Sequence, residues 1–403
     1  MSMNDTPSGN RVHIGFFGRR NAGKSSVVNA VTGQELAVVS DVQGTTTDPV
    51  TKSMELLPVG PVLIIDTPGY DDEGKLGELR VKKTRQILNK TDVAILVTDV
   101  EHGIGQTERE LTEIFEAKQI PYLTVYNKMD LLDGEAEKGV KNTDREIFVS
   151  ALNKTNIYEL KEKIAELSDA GKAEKHLVAD LICPGDIIVL VTPIDSAAPK
   201  GRLILPQQQM IRDVLEAGAI SVVIRETELK EFLSKPGCRP TLVITDSQAF
   251  KMVSEQTPED ISLTSFSILM ARFKGTLEES VRGAAKLSGL KANDKVLISE
   301  GCTHHRQCED IGTVKLPRWL QEYTGVKLQF DFSSGIEFPE NLSDYQLIIH
   351  CGGCMLNERE MMYRIKCAQD VGVPITNYGT AIAQMNGILK RSLAILPEIQ
   401  KII

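Results

Sequence analysis

The chain has 403 residues, which at about 150 residues per domain allows two to four domains. Apolar residues make up 41% and charged residues 25%, which excludes wholesale disorder. Lys and Arg number 46 against 55 Asp and Glu, a formal net charge of -9 that argues against a general nucleic-acid binder.

Residues 11–168 read as alternating strands and helices. Strands are expected at Val12–Phe17, Val62–Ile65, Val93–Val97 and Tyr122–Tyr126. Helices are expected at Lys24–Val31, Leu76–Leu88, Gln106–Lys118 and Thr155–Leu167. That order predicts a mostly parallel sheet with helices on both faces. A small, polar stretch, Ser168–Lys175, reads as a linker. Beyond it, strands at Ile187–Val191, Ile220–Ile224 and Leu242–Thr245 alternate with helices at Gln207–Glu216 and Glu226–Ser234. A last segment has strands at Lys295–Ser299, Lys327–Phe332, Gln346–Ile349 and Pro374–Asn377. Its helices fall at Leu277–Leu287, Glu358–Val371 and Gly379–Lys390. The expectation is an α/β chain of three domains, 1–172, 173–272 and 273–403, the last two smaller than the first. No uncharged apolar run reaches the ~18 residues of a membrane helix, and residues 1–10 resemble no signal or presequence. A cytoplasmic protein that does not bind membrane is expected.

Gly18-Arg19-Arg20-Asn21-Ala22-Gly23-Lys24-Ser25 has the G-x-x-x-x-G-K-S spacing of a phosphate-binding loop, between a strand and a helix as that motif requires. Its backbone N–H groups, from Gly18 through Ala22 and Gly23 to Ser26, and the helix N-terminus suit a diphosphate. Lys24 would neutralise β/γ oxygens and Ser25 would ligate Mg²⁺. Asp66-Thr67-Pro68-Gly69 ends the next strand: Asp66 would hold Mg²⁺ through water, and the Gly69 N–H would meet the γ-phosphate. Asn127-Lys128-Met129-Asp130 ends another. The Asp130 carboxylate can accept two hydrogen bonds from guanine, which selects GTP over ATP, while Lys128 packs over the base. Ser150-Ala151-Leu152 fits the remaining base-contacting loop. Gly44-Thr45-Thr46-Thr47-Asp48 lies where a switch loop belongs, with Thr46 the candidate for the last Mg²⁺ ligand.

These motifs resemble those of a Ras-like GTPase, in the branch of the tRNA-modifying and ribosome-assembly GTPases. That resemblance implies slow intrinsic hydrolysis, because Tyr70 stands where Ras-type enzymes place a water-orienting Gln. It also implies a K⁺ ion held with help from Asn21, in the role of an arginine finger. The other reading of Asn21 is a turn-forming residue in left-handed backbone geometry.

Seven cysteines are present, none before Cys183 and five from Cys302 to Cys367. In a reducing compartment such clustering points to metal or redox chemistry. Cys302-Thr303-His304 and His350-Cys351-Gly352-Gly353-Cys354 each follow an apolar strand, at the edge where open α/β sheets form ligand sites. Cys302, Cys351 and Cys354 with a histidine suit Zn²⁺ or a [4Fe–4S] cluster with one open iron. The histidines His304, His305 and His350 could instead be structural. Cys183, Cys238, Cys308 and Cys367 read as small buried hydrophobes.

Joined to the GTPase motifs, this cysteine pattern resembles the HydF family of [FeFe]-hydrogenase maturation GTPases along nearly the whole chain. The resemblance implies a [4Fe–4S] cluster on Cys302, Cys351 and Cys354, with His304 as an exchangeable fourth ligand. It implies a dimerising middle domain, with the homodimer able to assemble further. It also implies a di-iron precursor that arrives from two radical maturation enzymes and leaves to apo-[FeFe]-hydrogenase. Two other readings stand beside it. One is an RNA-modification or ribosome-assembly GTPase with a structural zinc. The other is a redox enzyme using Cys351 and Cys354 as a dithiol.

Overall fold

The computed structural model describes residues 8–34, 50–68, 84, 86–132, 139, 141–169, 175–194, 203–301, 311–335, 338–339 and 341–402. The chain divides into two compact units, Met1–Ala173 and Glu174–Ile403.

The first unit is built on a six-stranded sheet. Its strands are β1 (Val12–Phe17), β2 (Val50–Leu56), β3 (Gly60–Asp66), β4 (Val93–Asp99), β5 (Tyr122–Asn127) and β6 (Glu146–Phe148), in the order β2-β3-β1-β4-β5-β6. All neighbours are parallel except β2 and β3. The described helices are α1 (Lys24–Thr32), α2 (Gln106–Ala117) and α3 (Ile157–Asp169). One core cluster packs Ile14, Phe16, Val28 and Val31 with Leu160 and Ile164, and a second packs Phe17 and Leu96 with Leu111 and Phe115. The central strands β1 and β4 are therefore covered on both faces, which is why they read as unbroken apolar runs. The sequence pattern did not indicate β2 or β6. The first is an edge strand with polar, mostly exposed residues, and the second has three residues. Most of the helix expected at Leu76–Leu88 lies outside the described residues.

The second unit holds two four-stranded parallel sheets. The first joins β7 (Ile187–Val191), β8 (Ile220–Ile224), β9 (Leu242–Thr245) and β10 (Ser262–Ser265) in the order β10-β9-β7-β8. The second joins β11 (Lys295–Glu300), β12 (Gln329–Ser334), β13 (Leu347–His350) and β14 (Ile375–Asn377) in the order β12-β11-β13-β14. Around them run α4 (Leu205–Glu216), α5 (Leu229–Ser234), α6 (Phe250–Gln256), α7 (Phe266–Phe273), α8 (Leu277–Ala284), α9 (Leu316–Thr324), α10 (Glu358–Asp370), α11 (Tyr378–Met385), α12 (Leu389–Ser392) and α13 (Pro397–Gln400). The single helix expected over Gly379–Lys390 is two helices. Gly387 takes φ +71 between them, a left-handed conformation that ends a helix cheaply only at glycine. One apolar core runs through both sheets, joining Val189, Val243 and Phe250 to Val296, Ile298, Leu320 and Ile349.

Candidate functional site

In the first unit, strand register gathers the motif residues at one sheet edge. Phe16 pairs with Asp66, and Asp99 pairs with Asn127, so the loops after β1, β3, β4 and β5 leave side by side. Backbone geometry then sets the phosphate-loop shape. Gly18 has φ +138, and a Cβ there would lie 2.1 Å from the Val97 carbonyl. Gly23 has φ +86, and its Cβ would lie 2.2 Å from Asn127 Nδ2. Asn21 is also left-handed, with φ +62, as the turn-forming reading requires. The Lys24 ammonium is buried and donates to the Gly18 and Arg19 carbonyls at 3.1 and 2.7 Å. Ser25 Oγ donates to Asp66 Oδ2 at 2.7 Å. The other oxygen, Asp66 Oδ1, is buried and has no partner among the described residues. Burial pushes the Asp66 pKa up, against the Ser25 hydrogen bond and the Lys24 charge. A hydroxyl facing a carboxylate with an orphaned oxygen is a donor set that fits Mg²⁺. Ala22 is buried, while Ser26 is half-buried on α1.

The Asn127–Asp130 motif is tied to this loop by one side chain. Asn127 Nδ2 donates to the Ala22 carbonyl at 3.3 Å, and its Oδ1 accepts from the Ala151 N–H at 3.1 Å. Asp130 is exposed and accepts from the Ser150 hydroxyl, which also accepts from the Asn153 N–H at 3.0 Å. Lys128 has φ +63 and lies 3.5 Å from Asp99. Leu152 is exposed beside them. Thr46, Gly69 and Tyr70 lie outside the described residues.

Two supports were not legible in the motifs. Arg19 donates to both carboxylate oxygens of fully buried Glu108 at 2.9 and 3.0 Å and to the Gly103 carbonyl at 2.9 Å. Glu108 in turn accepts from the Gly105 N–H at the start of α2. Asp99 accepts from the His102 backbone and ring at 2.9 and 2.7 Å. Partial burial pushes its carboxyl up, but those bonds and Lys128 outweigh it and leave the pKa below the usual range.

In the second unit, Ser299 of β11 pairs with His350 of β13, and His350 pairs with Asn377 of β14. The Cys351–Cys354 loop starts at this edge. The Cys351 N–H donates to the Ser299 carbonyl at 2.8 Å. Its Sγ accepts from the N–H groups of Gly301 and Gly353 at 3.1 and 3.4 Å. Cys351 and Cys354 are free thiols, and burial pushes both pKa values up. Gly353 has φ +60, and a Cβ on it would lie 2.5 Å from Met361 Sδ. Beside the loop is Lys274, which is 3% exposed. It donates to the Leu356 carbonyl at 2.7 Å and to the Gly353 carbonyl. Burial brings its pKa down to about 8, against the opposing pull of Cys354, Cys351 and Glu358. Two free thiols, one receiving two N–H groups, next to a buried ammonium form a donor set that fits a thiolate-held metal.

His350 takes the structural role. Nε2 faces Arg364 Nη1 at 3.0 Å and Nδ1 faces the Cys351 carbonyl at 2.7 Å. Arg364 is fully buried, also donating to Glu360 at 2.9 Å and to the Gly335 carbonyl at 2.8 Å. Burial, with Arg364 beside it, pushes the His350 pKa down to about 3. The ring is therefore neutral, accepting from Arg364 and donating to Cys351. Cys302, His304, His305 and Cys308 lie outside the described residues.

Comparison with known proteins matches three family models along the chain. Residues 13–128 match the 50S ribosome-binding GTPase model, residues 177–275 the hydrogen maturase F dimerization domain, and residues 278–395 the hydrogen maturase F tetramerization domain. The last two together cover more than half of the chain. The chain belongs to the hydrogen maturase F family. Its GTPase part is similar to GTPase Der of Wolinella succinogenes, 34% identical over 177 residues, 41% of this chain and 37% of the relative. It is also similar to the tRNA modification GTPase MnmE of Carboxydothermus hydrogenoformans, 34% identical over 175 residues, 41% of this chain and 37% of the relative. The match thus spans little more than a third of these relatives. Among solved structures, Aquifex aeolicus Era bound to GDP.AlF4- overlaps 53% of this chain and 93% of that one, with 18% identity and a TM-score of 0.35. This hydrogen maturase F chain thus places the thiols of its C-x-x-C loop, Cys351 and Cys354, inside the segment matched to the tetramerization domain.

Proposed function

We propose that the chain is a GTP-binding and GTP-hydrolysing scaffold for [FeFe]-hydrogenase maturation. In this reading it holds a [4Fe–4S] cluster through Cys302, Cys351 and Cys354, with His304 as the exchangeable fourth ligand. The cargo is a di-iron precursor, received from two radical maturation enzymes and passed to apo-[FeFe]-hydrogenase. The observation that carries the reading is the loop of two free thiols, fed by backbone N–H groups, in a chain that also has a phosphate loop and the hydrogen maturase F domains. When bound, the cluster would supply an iron with one exchangeable coordination position. The chain's own part is to aim the thiolates and keep the loop in shape.

At the nucleotide site, Lys24 and the loop N–H groups would bind phosphates, Ser25, Asp66 and Thr46 would hold Mg²⁺, and Asp130 would read guanine. Asn21 is proposed to help hold K⁺, and hydrolysis is proposed to be slow because no Gln follows Gly69. GTP then acts as a switch whose coupling to the cysteine site is reciprocal. Dimerisation is proposed to run through β8, one of the two edge strands of its sheet, where Ile220 and Val223 are 52% and 42% exposed.

The test is metal and acid-labile sulfide analysis on protein purified and reconstituted without oxygen. About four iron and four sulfide per chain are expected, lost in Cys351→Ala or Cys354→Ala. The same loaded protein should activate apo-hydrogenase. A colourless protein with one bound zinc would instead support the ribosome-assembly or RNA-modification reading.

A further inference from the structure

We infer that Lys274 is a positioning residue for metal binding: it fixes the Cys351–Cys354 loop and serves as the buried counter-ion to the charge that metal-bound thiolates carry. This rests on the reading of Cys351 and Cys354 as ligands. Lys274 follows α7, in the segment matched to the dimerization domain, yet its side chain ends in the cysteine loop of the next segment. Two of its three ammonium hydrogens go to the carbonyls of Gly353, between the two cysteines, and Leu356, just after them. Those two bonds fix the loop at Gly353 and Leu356, and His350 holds it at the Cys351 carbonyl.

The ammonium has no carboxylate within ion-pair distance among the described residues. The nearest acid in sequence to the loop, Glu358, pairs instead with Lys175 at 2.6 Å on the surface. A buried cation without a counter-ion is costly, and such groups persist where an anion completes them. Metal-bound thiolate sulfurs keep partial negative charge, and two of them beside Lys274 would supply that partner. A neutral loop with neutral thiols offers the ammonium two carbonyls but no charge to balance its own.

The probe is Co²⁺, titrated anaerobically into the full metal-free chain and read by its thiolate absorption. Lys274→Met should weaken Co²⁺ binding about 10- to 100-fold, the range for partners of metal ligands, and Lys274→Arg should recover most of it. Lys274→Gln keeps a donor for the carbonyls without the charge, so it tests the counter-ion if Lys274→Met does not fold. On iron-loaded protein, Lys274→Gln should also make the cluster harder to reduce. Unchanged Co²⁺ affinity and unchanged midpoint potential in Lys274→Gln would overturn the inference. A Cys351→Ala, Cys354→Ala double variant that still binds Co²⁺ like the parent would instead overturn the ligand reading beneath it.

Discussion

Asn127 joins two loops that the sequence presents as separate motifs, 105 residues apart from Ala22. Its amide needs the space that a side chain at Gly23 would take. Gly23→Ala therefore meets two penalties: left-handed backbone, about 1–2 kcal/mol for a residue with a Cβ, and displacement of Asn127. Affinity for a fluorescent GTP analogue is expected to fall at least about tenfold, the equivalent of one such term. Gly33→Ala is the control, since Gly33 is also left-handed at the end of the same helix but has open space around it. Equal losses in the two variants would show that backbone strain alone is at work. The loops proposed to meet nucleotide could be picked out because phosphate and guanine chemistry demand particular residue types at fixed spacing, and strand register brings them together. The cysteine site was legible only in its thiols. His350 carried two readings until Arg364, fourteen residues away, was found against its ring. Lys274 gave no signal, since a lysine just after a helix reads as an ordinary solvated cap.

Strands with both faces covered were found almost to the residue, as with β1, β7 and β9, because burial leaves an unbroken apolar run. Elements whose stability comes from context were not. The strand β10 reads Ser-Leu-Thr-Ser, and its place in the sheet comes from pairing with β9. The helix α6 has seven residues and is anchored by Phe250 and Val253. The strand β8 shows the converse: an apolar pattern that the monomer leaves half-exposed. A lysine on an edge strand blocks strand addition through charge repulsion and desolvation. Val223→Lys is thus expected to shift the oligomer toward monomer in sedimentation velocity at micromolar concentration, with the circular dichroism spectrum retained. A dimer as tight as that of the parent would place the interface elsewhere.

The two compact units have separate cores, so each should unfold in its own transition. GTP at about a hundred times its dissociation constant adds roughly 2.7 kcal/mol to the state that binds it. Differential scanning calorimetry should then show one transition rising by several degrees and the other moving by no more than the coupling between the sites. Both rising together would mean that the units melt as one. Within the second unit the outcome differs, because a single apolar core passes from the β7–β10 sheet to the β11–β14 sheet. The segments matched to the dimerization and tetramerization domains are adjacent modules in sequence but share their interior. A gene fragment encoding either alone would yield a product with a raw apolar face. Exchange of one without the other between relatives would leave side chains of mismatched volume in a common core. The pair should therefore be inherited, and is best grafted by an engineer, as one indivisible cassette.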